Sequence, residues 1–259
     1  MPNSSFFPEE RHQAILARLV SGNRVVAAEL ARDFGTSEDT IRRDLREMAK
    51  EGLCQRIYGG ALPVSPASGS FVERRGRKSA NKAALGREAA KLVKAGQFLF
   101  LDAGTTNLDI AHSLPGDVGL KVATNSPAIA IVLVSRPGIS VLLIGGVVEA
   151  ETEAALGAHA VRDLQALTID LCFLGTCAIS TRGGLRGFNF EDVEFKRTLV
   201  ERSDCIAVAV TTDKLETSAP FEISVLDRVD HLLIEGDADP DQIKAFSAVG
   251  ISVHQIAAN

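Results

Sequence analysis

The sequence predicts a two-domain protein of the α/β class, with a small N-terminal helical domain and a larger C-terminal α/β domain. Apolar residues recur at helical spacing through about the first 50 residues. Beyond residue 79, strand-like apolar runs alternate with helix-like segments, which indicates a parallel or mixed sheet. Between the two parts, the stretch "PVSPASGS" from Pro63 to Ser70 has no periodicity and the composition of a connector. A length of 259 residues, 46% of them hydrophobic, suffices for two cores.

The first two helices follow from spacing and from the residues that end them. Ile15 and Leu19 lie four residues apart, and "SGNR" at 21–24 breaks that pattern. A second apolar stripe runs from Ala27 to Phe34, and Gly35 favours the tight exit that follows it. These two segments therefore predict two short helices in succession.

A third helix is expected directly afterwards, with Ser37 as its N-cap. Its apolar stripe recurs at i, i+4 and i+7, which seats the helix on the other two. The helices fit a helix-turn-helix at about residues 25–44, and "LCQRIYGGALP", which ends in a Gly-Gly turn, predicts a small β-wing. The stripe consists of Ile41, Leu45 and Met48.

The polar face of this third helix is basic. At about 100° per residue, Arg43, Arg46 and Lys50 lie opposite the apolar stripe, with Thr40 and Arg42 on the flanks. Basic side chains there can bond guanine edges or neutralise phosphates of double-stranded DNA. Periodicity alone equally allows an ordinary solvated face. The residues assigned to DNA contact, including one on the wing, are Ser37, Thr40, Arg42, Arg43, Arg46, Lys50 and Arg56.

In the larger domain, a charged helix is expected from about Ser79 to Val93, followed by the strand "FLFLD", a Gly/Thr turn and another helix. Further strands are expected near Val122, Val141, Leu171 and Ile206. This alternation predicts that the sheet is covered by helices.

Charge and composition narrow the functional classes. The net charge is −5, but residues 1–62 carry nine basic and nine acidic residues, so the excess of acid lies in the larger domain. The apolar runs Ala128–Val134 and Val141–Val148 are shorter than the roughly 20 residues of a membrane helix and are expected to be buried. The four cysteines lack C-x-x-C spacing and no signal peptide is apparent, so we expect a cytoplasmic protein without membrane contact.

The N-terminal motifs resemble those of the DeoR family of bacterial transcriptional regulators. The resemblance rests on "SEDTIRRDL" at Ser37–Leu45 and on "RIYGGA" at Arg56–Ala61, and it continues to about residue 256. It implies a DeoR-type winged helix-turn-helix domain at 8–63, a linker at 64–78 and a sensor domain at 79–256. The implied sensor fold is similar to that of ribose-5-phosphate isomerase.

The family resemblance also implies what the second domain does. Sensor domains of this family respond to small phosphorylated metabolites, so the expected partners are operator DNA, a phosphorylated sugar or polyol, and further copies of the chain in a dimer or tetramer. The family motifs occur in order as "LDAGTT" (101–106), "ATNS" (123–126), "IGG" (144–146), Gly157, "DLCFLG" (170–175) and "TTDKL" (211–215).

The turn "LDAGTT" is the predicted phosphate site, because it follows an apolar strand and precedes a helix whose N–H groups and hydroxyls suit an anion. Simple capping explains the same residues equally well. Lys196 and Lys214 are the cations placed near the ligand, although each can also be an ordinary surface lysine. The predicted effector residues are Asp102, Gly104, Thr105, Thr106, Thr124, Asn125, Gly145, Gly146, Gly175, Lys196 and Lys214.

The family resemblance favours a repressor, and two departures from the family pattern bear on its pocket. Asp192 stands where the family more often has Glu, and Ala103 where Ser or Gly is more usual. The alternative is a sugar-phosphate isomerase-like enzyme that carries a DNA-binding segment. Because the five histidines are scattered and no carboxylate pair has a spacing that demands acid/base work, we predict no catalytic residue, no metal site and no cofactor.

Overall fold

The structure, a computed structural model, describes residues 7–20, 24–65, 67, 69–77 and 79–256. It confirms the predicted class: a small helical domain with a wing precedes a larger α/β domain. The predicted break at 21–24 falls mostly outside the described residues.

The N-terminal domain is built on the three predicted apolar stripes. Ile15, Ile41 and Met48 are fully buried in one cluster that also holds Leu19 and Leu45. The wing is a three-stranded antiparallel sheet in the order β1-β3-β2. Its elements are α1 (Pro8–Val20), β1 (Val25–Val26), α2 (Ala27–Asp33), α3 (Glu38–Lys50), β2 (Gln55–Ile57) and β3 (Gly60–Leu62).

The Gly-Gly of the wing has a steric reason. Gly59 adopts a φ of 80°, which side chains other than glycine rarely tolerate. A Cβ atom on Gly60 would lie 1.9 Å from the carbonyl oxygen of Val25, so only glycine lets β3 pass this close to β1. The wing is thereby joined to the helices.

The interval 64–78 contains a helix, α4 (Phe71–Gly76), where the sequence suggests a connector. Ser70 and Glu73 form a capping box, in which the Glu73 N–H donates to the Ser70 hydroxyl and the Ser70 N–H donates to the Glu73 carboxylate. Phe71 is buried against the sensor core. The second part of this interval is therefore packed structure rather than extended chain, whereas residues 66, 68 and 78 lie outside the described residues.

The sensor domain is organised around a seven-stranded parallel sheet in the order β15-β14-β12-β9-β4-β5-β6. Strands appear at every position that the sequence predicts. The helices and strands are α5 (Ser79–Ala90), β4 (Phe98–Leu101), α6 (Thr105–Ser113), β5 (Leu120–Thr124), α7 (Pro127–Val134), β6 (Ile139–Leu143), β7 (Val147–Val148), β8 (Ala155–Leu156), α8 (Ala158–Gln165), β9 (Leu171–Phe173), β10 (Ala178–Ser180), β11 (Gly184–Gly187), α9 (Phe190–Glu201), β12 (Ile206–Val210), β13 (Phe221–Ser224), β14 (His231–Ile234), α10 (Pro240–Ala248) and β15 (Ser252–Gln255).

Helices cover both faces of the sheet, so its strands are apolar on both sides. On one face, α5, α6 and α7 contribute Leu85, Ile110 and Leu133 to the core. On the other face, α8, α9 and α10 contribute a second cluster that includes Phe195 and Phe246. Two smaller antiparallel sheets, β10-β11-β13 and β7-β8, lie outside the main sheet.

The two long apolar runs are buried on one side only, whereas the sequence predicts that they are buried throughout. They form α7, the edge strand β6 and the short strand β7, and their outer side chains are between 44% and 79% exposed. Among the described residues, no further strand pairs with the outer edge of β6. The exposed residues are Ile131, Val134, Leu142, Leu143, Val147 and Val148. In the described part of the chain, no helix combines the length and apolar character needed to cross a bilayer.

Candidate DNA interface and anion-binding pocket

The third helix, α3, begins where its cap predicts and turns its basic residues outward. The Thr40 N–H donates to the Ser37 hydroxyl at 3.1 Å, and Ser37 itself is exposed. Thr40 is partly exposed, on the flank of the helix. Arg43, Arg46 and Lys50 are solvent-exposed opposite the buried stripe, and Arg42 is exposed on the flank.

A buried ion pair seats α3 against α1. Arg11 Nε donates to Asp44 Oδ2 at 2.7 Å, and the second guanidinium nitrogen donates to Oδ1 at 3.0 Å. The ligand atoms of His12, Asp44 and Glu47 lie within 4.8 Å of one another, a grouping that the sequence analysis did not find. Because Arg11 already holds both oxygens of Asp44, we assign this cluster to the orientation of α3.

The wing and α3 enclose a cleft of about 370 Å³ on the outer surface of the N-terminal domain. Arg42 and Arg56 line it from the two elements, and Arg42 also pairs with Glu38 at 2.6 Å. Tyr58 lies fully exposed at the tip of the wing and lines the same cleft. Sequence reasoning missed Tyr58, although its place beside the Gly-Gly turn marks it as the tip of a hairpin.

In the sensor domain, the order of strands reverses between β4 and β9. From β4 the chain continues to β5 and β6 on one side, and it returns to β9 and β12 on the other. Ligands of open α/β sheets bind at the carboxyl ends of strands at such a switch point, because the two connections leave in opposite directions. Here the Gly175 N–H after β9 donates to Asp102 Oδ2 after β4 at 2.9 Å, so two predicted residues meet.

The amino end of α6 opens into this switch point. Gly104 is the N-cap residue, and no side chain caps the helix there. Thr105 and Thr106 form the first turn, and both line a cavity of about 50 Å³ that Gly104 and Gly175 also line. The uncapped N–H groups and the helix dipole make this end of α6 suitable for an anion.

Four basic residues lie around the same turn. Arg74, Arg77, Lys82 and Lys214 line an adjoining cavity of about 50 Å³ together with Thr105, and Asp213 also lines it. Lys214 Nζ donates to the Thr176 carbonyl at 2.8 Å, and Lys82 Nζ donates to the Arg74 carbonyl. The cluster thus joins α4, α5 and the segment after β12.

The pKa values of both lysines are lowered, because burial and neighbouring basic groups outweigh the opposing effect of nearby acidic groups such as Asp213. Burial, followed by the charge of Lys214, lowers the pKa of Lys82 to about 8. Burial likewise lowers the pKa of Lys214, and the nearby Arg74 and Lys196 act in the same direction. An anion bound beside them would favour their charged forms.

Lys196 is engaged differently from Lys214. It is buried, lies 3.4 Å from Asp102 and donates to both oxygens of Asp192. Burial lowers the pKa of Lys196, but Asp102 and Asp192 outweigh it and raise the pKa overall. Burial is also the main reason that the pKa of Asp102 is raised, against the opposing effect of Lys196. The charge of Lys196 therefore balances two carboxylates within the wall of the pocket.

Five predicted residues lie outside the lining of both cavities, among them Asp102, which accepts from the Gly175 N–H. Thr124 and Asn125 are fully buried beneath the turn, where Asn125 Oδ1 accepts from the Ala103 N–H at 2.9 Å. Gly145 and Gly146 are exposed between β6 and β7. A Cβ on Gly146 would lie 2.4 Å from the Leu156 carbonyl oxygen, so close approach of the β7-β8 pair explains this glycine.

The structure adds residues that the sequence analysis did not assign to the pocket. Arg74 lies in the predicted linker, and only the capping-box pattern of Ser70 and Glu73 signals that a helix carries it. Lys82 lies in a charged helix with no feature that singles it out. Other lining residues that the sequence analysis did not assign include Asn107, Thr152, Thr176 and Cys177, and Asp192, noted there as a departure from the family pattern, lines the same cavity.

Comparison with known proteins assigns the same two parts. Residues 11–67 match the family model of the DeoR-like helix-turn-helix domain, and residues 77–235 match that of the DeoR C terminal sensor domain. The second match alone spans more than half of the chain.

Similar proteins extend over nearly the whole chain. The HTH-type transcriptional regulator GolR of Listeria innocua is 32% identical over 252 residues, which cover 95% of this chain and 98% of that protein. The glycerol-3-phosphate regulon repressor of Escherichia coli K12 is 29% identical and covers 89% of this chain and 91% of its own. Ribose 5-phosphate isomerase A of Methanocaldococcus jannaschii aligns with 53% of this chain and 54% of its own at 17% identity, with a TM-score of 0.40. The two domain matches and the full-length relatives show that this chain belongs to the DeoR family of transcriptional regulators.

Proposed function

We propose that this protein represses a sugar or polyol operon and that a phosphorylated sugar or polyol, bound in the sensor domain, controls its affinity for operator DNA. The observation that carries the proposal is the meeting of the uncapped α6 terminus with Arg74, Lys82 and Lys214. The names of the relatives, which include a glycerol-3-phosphate regulon repressor, support the same class of effector.

A phosphate group fits this place on physical grounds. The protein is acidic overall, so a phosphate must be attracted by local positive charge rather than by the net field. Lys82 and Lys214 provide that charge, while Thr105 and Thr106 offer hydroxyls and N–H donors at the helix terminus. We place the phosphate against the first turn of α6.

The pocket supports a sensor better than it supports an isomerase. A general base must reach a proton of its substrate within hydrogen-bond distance. Asp102 is fully buried, accepts from the Gly175 N–H and is paired with Lys196, so it holds the turn together. The relatives are named as regulators, and we assign no catalytic residue.

The proposal is tested with operator DNA that the protein itself selects from a random library. Titration of that complex with inorganic phosphate, glycerol 3-phosphate and a set of pentose and hexose phosphates is expected to change operator affinity for at least one sugar or polyol phosphate. The matching unphosphorylated compounds should have no effect at the same concentrations. A set of phosphates that leaves operator affinity unchanged throughout would contradict control by this class of metabolite.

The DNA half of the proposal predicts that Arg43→Ala weakens operator binding without unfolding the protein. Arg43 is exposed on α3, opposite the buried stripe, so its removal leaves the packing intact. Loss of a base contact should cost about 1–3 kcal/mol at one operator position, whereas loss of a phosphate contact should weaken binding to all sequences. Fluorescence anisotropy at several salt concentrations distinguishes the two. Arg87→Ala, an exposed arginine on α5, is the matched control, and equal affinities of both variants would remove Arg43 from the interface.

The exposed apolar surface on α7, β6 and β7 supports a homo-oligomer. Among the described strands β6 pairs only with β5, so its outer edge is open, and no charged residue occurs from Ile139 to Val148. Monomeric proteins rarely leave a large apolar patch uncovered, and an uncharged patch can face its own copy across a two-fold axis. We propose that a second copy covers this surface and that the oligomer acts on DNA in the cytoplasm.

A further inference from the structure

A cleft of about 300 Å³ lies between the N-terminal domain and the sensor. Cys54 and Gln55, at the base of the wing, line one side of it, and Asn189 and Asp192, at the start of α9, line the other. Arg74 of α4 lines it as well. Both domains and the segment that joins them therefore contribute walls to one cleft.

Two buried polar atoms of these walls have no hydrogen-bond partner among the described residues. They are the amide oxygen Oε1 of Gln55 and the guanidinium Nε of Arg74. Native proteins satisfy most buried polar atoms, so an unsatisfied acceptor and an unsatisfied donor in one cleft indicate a missing group that can donate to the first and accept from the second. A hydroxyl group does both.

The cleft adjoins the proposed phosphate site. Arg74, Thr152, Cys177 and Asp192 line both the cleft and the cavity at α6. The cavities at α6, at about 50 Å³ each, have room for a phosphate group but not for a whole sugar phosphate. A volume of about 300 Å³, by contrast, is typical of a small-molecule site.

We propose that the hydroxyl-bearing part of the effector occupies this cleft while its phosphate is bound at α6. Its hydroxyl groups donate to Gln55 Oε1 and accept from Arg74 Nε, so one ligand contacts the sensor, α4 and the DNA-binding domain together. The assignment rests on the proposed phosphate site. It adds Gln55 of the DNA-binding domain as a residue that contacts the hydroxyl-bearing part of the effector.

This arrangement supplies a physical basis for control. A ligand shifts an equilibrium between domain arrangements only if it binds one of them more tightly. An effector that reaches Gln55 gains that contact only while the base of the wing lies against the sensor. Gln55 is partly buried and its neighbour Arg56 is exposed, so the contact with the sugar leaves the outer face of the wing free for DNA.

The test compares Gln55→Met with wild type in the full-length protein by isothermal titration calorimetry. Methionine keeps the length of the side chain and removes the acceptor. The probes are inorganic phosphate, glycerol 3-phosphate, ribose 5-phosphate, glucose 6-phosphate and fructose 6-phosphate. In wild type, at least one organic phosphate should bind at least about tenfold more tightly than inorganic phosphate. Gln55→Met should lower the affinity for that organic phosphate by about tenfold and leave the affinity for inorganic phosphate unchanged.

Two controls keep the result decisive. Gln165→Met, an exposed glutamine at the end of α8, should behave as wild type, and operator binding by Gln55→Met reports that the variant is folded. Arg74→Lys keeps the positive charge, removes Nε and should also lose the advantage of the organic phosphate. If Gln55→Met does not fold, Arg74→Lys decides the question.

The outcomes separate this inference from the proposed function. An advantage of organic over inorganic phosphate that persists undiminished in both Gln55→Met and Arg74→Lys would overturn the inference and leave the phosphate site intact. Equal affinity of all five probes for wild type would also overturn it. Failure of every probe to bind wild type would instead count against the phosphate site itself.

Discussion

Replacing Lys196 by methionine is expected to lower the free energy of unfolding by about 3–5 kcal/mol, because it leaves two buried carboxylates without their cation. Asp102 and Asp192 are 0% and 2% exposed, and both lie against Lys196. Removal of one partner from a buried ion pair costs more than the pair itself contributes, since the remaining charge stays desolvated. Urea denaturation at neutral pH measures the loss.

The pH dependence of this loss identifies its cause. Burial already raises the pKa of Asp102 in the folded state against the opposing effect of Lys196, so without Lys196 this pKa should rise further above its unfolded value. The unfolded state then binds fewer protons than the folded state, so the stability of the variant relative to wild type should increase as the pH falls from 7 towards 5. Lys244→Met, which removes an exposed lysine 3.4 Å from Asp241, should change stability by less than about 0.5 kcal/mol at any pH. A deficit in Lys196→Met that is the same at both pH values would point to lost packing instead.

Local signals were sufficient to predict the N-terminal domain. Ser37 caps α3 by accepting a hydrogen bond from the N–H three residues later. Ile41, Leu45 and Met48 are buried on the face of α3 that periodicity predicts. Both features depend on residues within a few positions of one another. The partnership of Arg11 with Asp44 spans 33 positions and has no such signal, so the sequence analysis did not detect it.

The pocket was predictable only in part, because the switch point assembles it from distant segments. The turn after β4 was found from its own residues, since Gly104 and Thr105 lie between a strand and a helix. Lys82 and Arg74 reach the same turn from α5 and α4, and only the fold of the sheet shows that these helices meet there. Lys196 was predicted as a cation beside the ligand, and the structure adds that two carboxylates already balance its charge.

The apolar runs show a different limit of sequence reasoning. Ala128–Val134 and Val141–Val148 were expected to be buried because hydrophobicity favours burial. In the structure only their inner side chains, such as Leu133 and Ile144, are buried, while Ile131 and Val147 are 71% and 79% exposed. A hydrophobic segment predicts burial, but the sequence does not indicate whether the segment is buried against its own chain or against another copy.

Replacing Thr105 by glutamate is expected to abolish the effector response while operator binding survives. A carboxylate in the first turn of α6 is favoured by the helix dipole, so the variant should fold, with its own negative charge in the place proposed for the phosphate. The glutamate carboxylate should repel the phosphate and occupy its place. The affinity for the effector should therefore fall by at least about a hundredfold, which corresponds to about 2.7 kcal/mol of binding free energy. The measurement is a titration of operator affinity against the sugar phosphate that gives the largest wild-type response.

The direction of regulation determines how the variant behaves in the cell. If the effector normally releases the protein from DNA, Thr105→Glu should repress permanently; if the effector promotes binding, the variant should repress weakly at all times. Thr105→Ser retains the hydroxyl and should respond as wild type, and Thr168→Glu adds the same charge at an exposed position outside the pocket lining. A full response in Thr105→Glu would refute the phosphate position at α6. A local repulsion depends on which threonine is replaced, whereas an effect of net charge does not. If Thr168→Glu lost as much of the effector response as Thr105→Glu, the loss would therefore be due to the change in net charge.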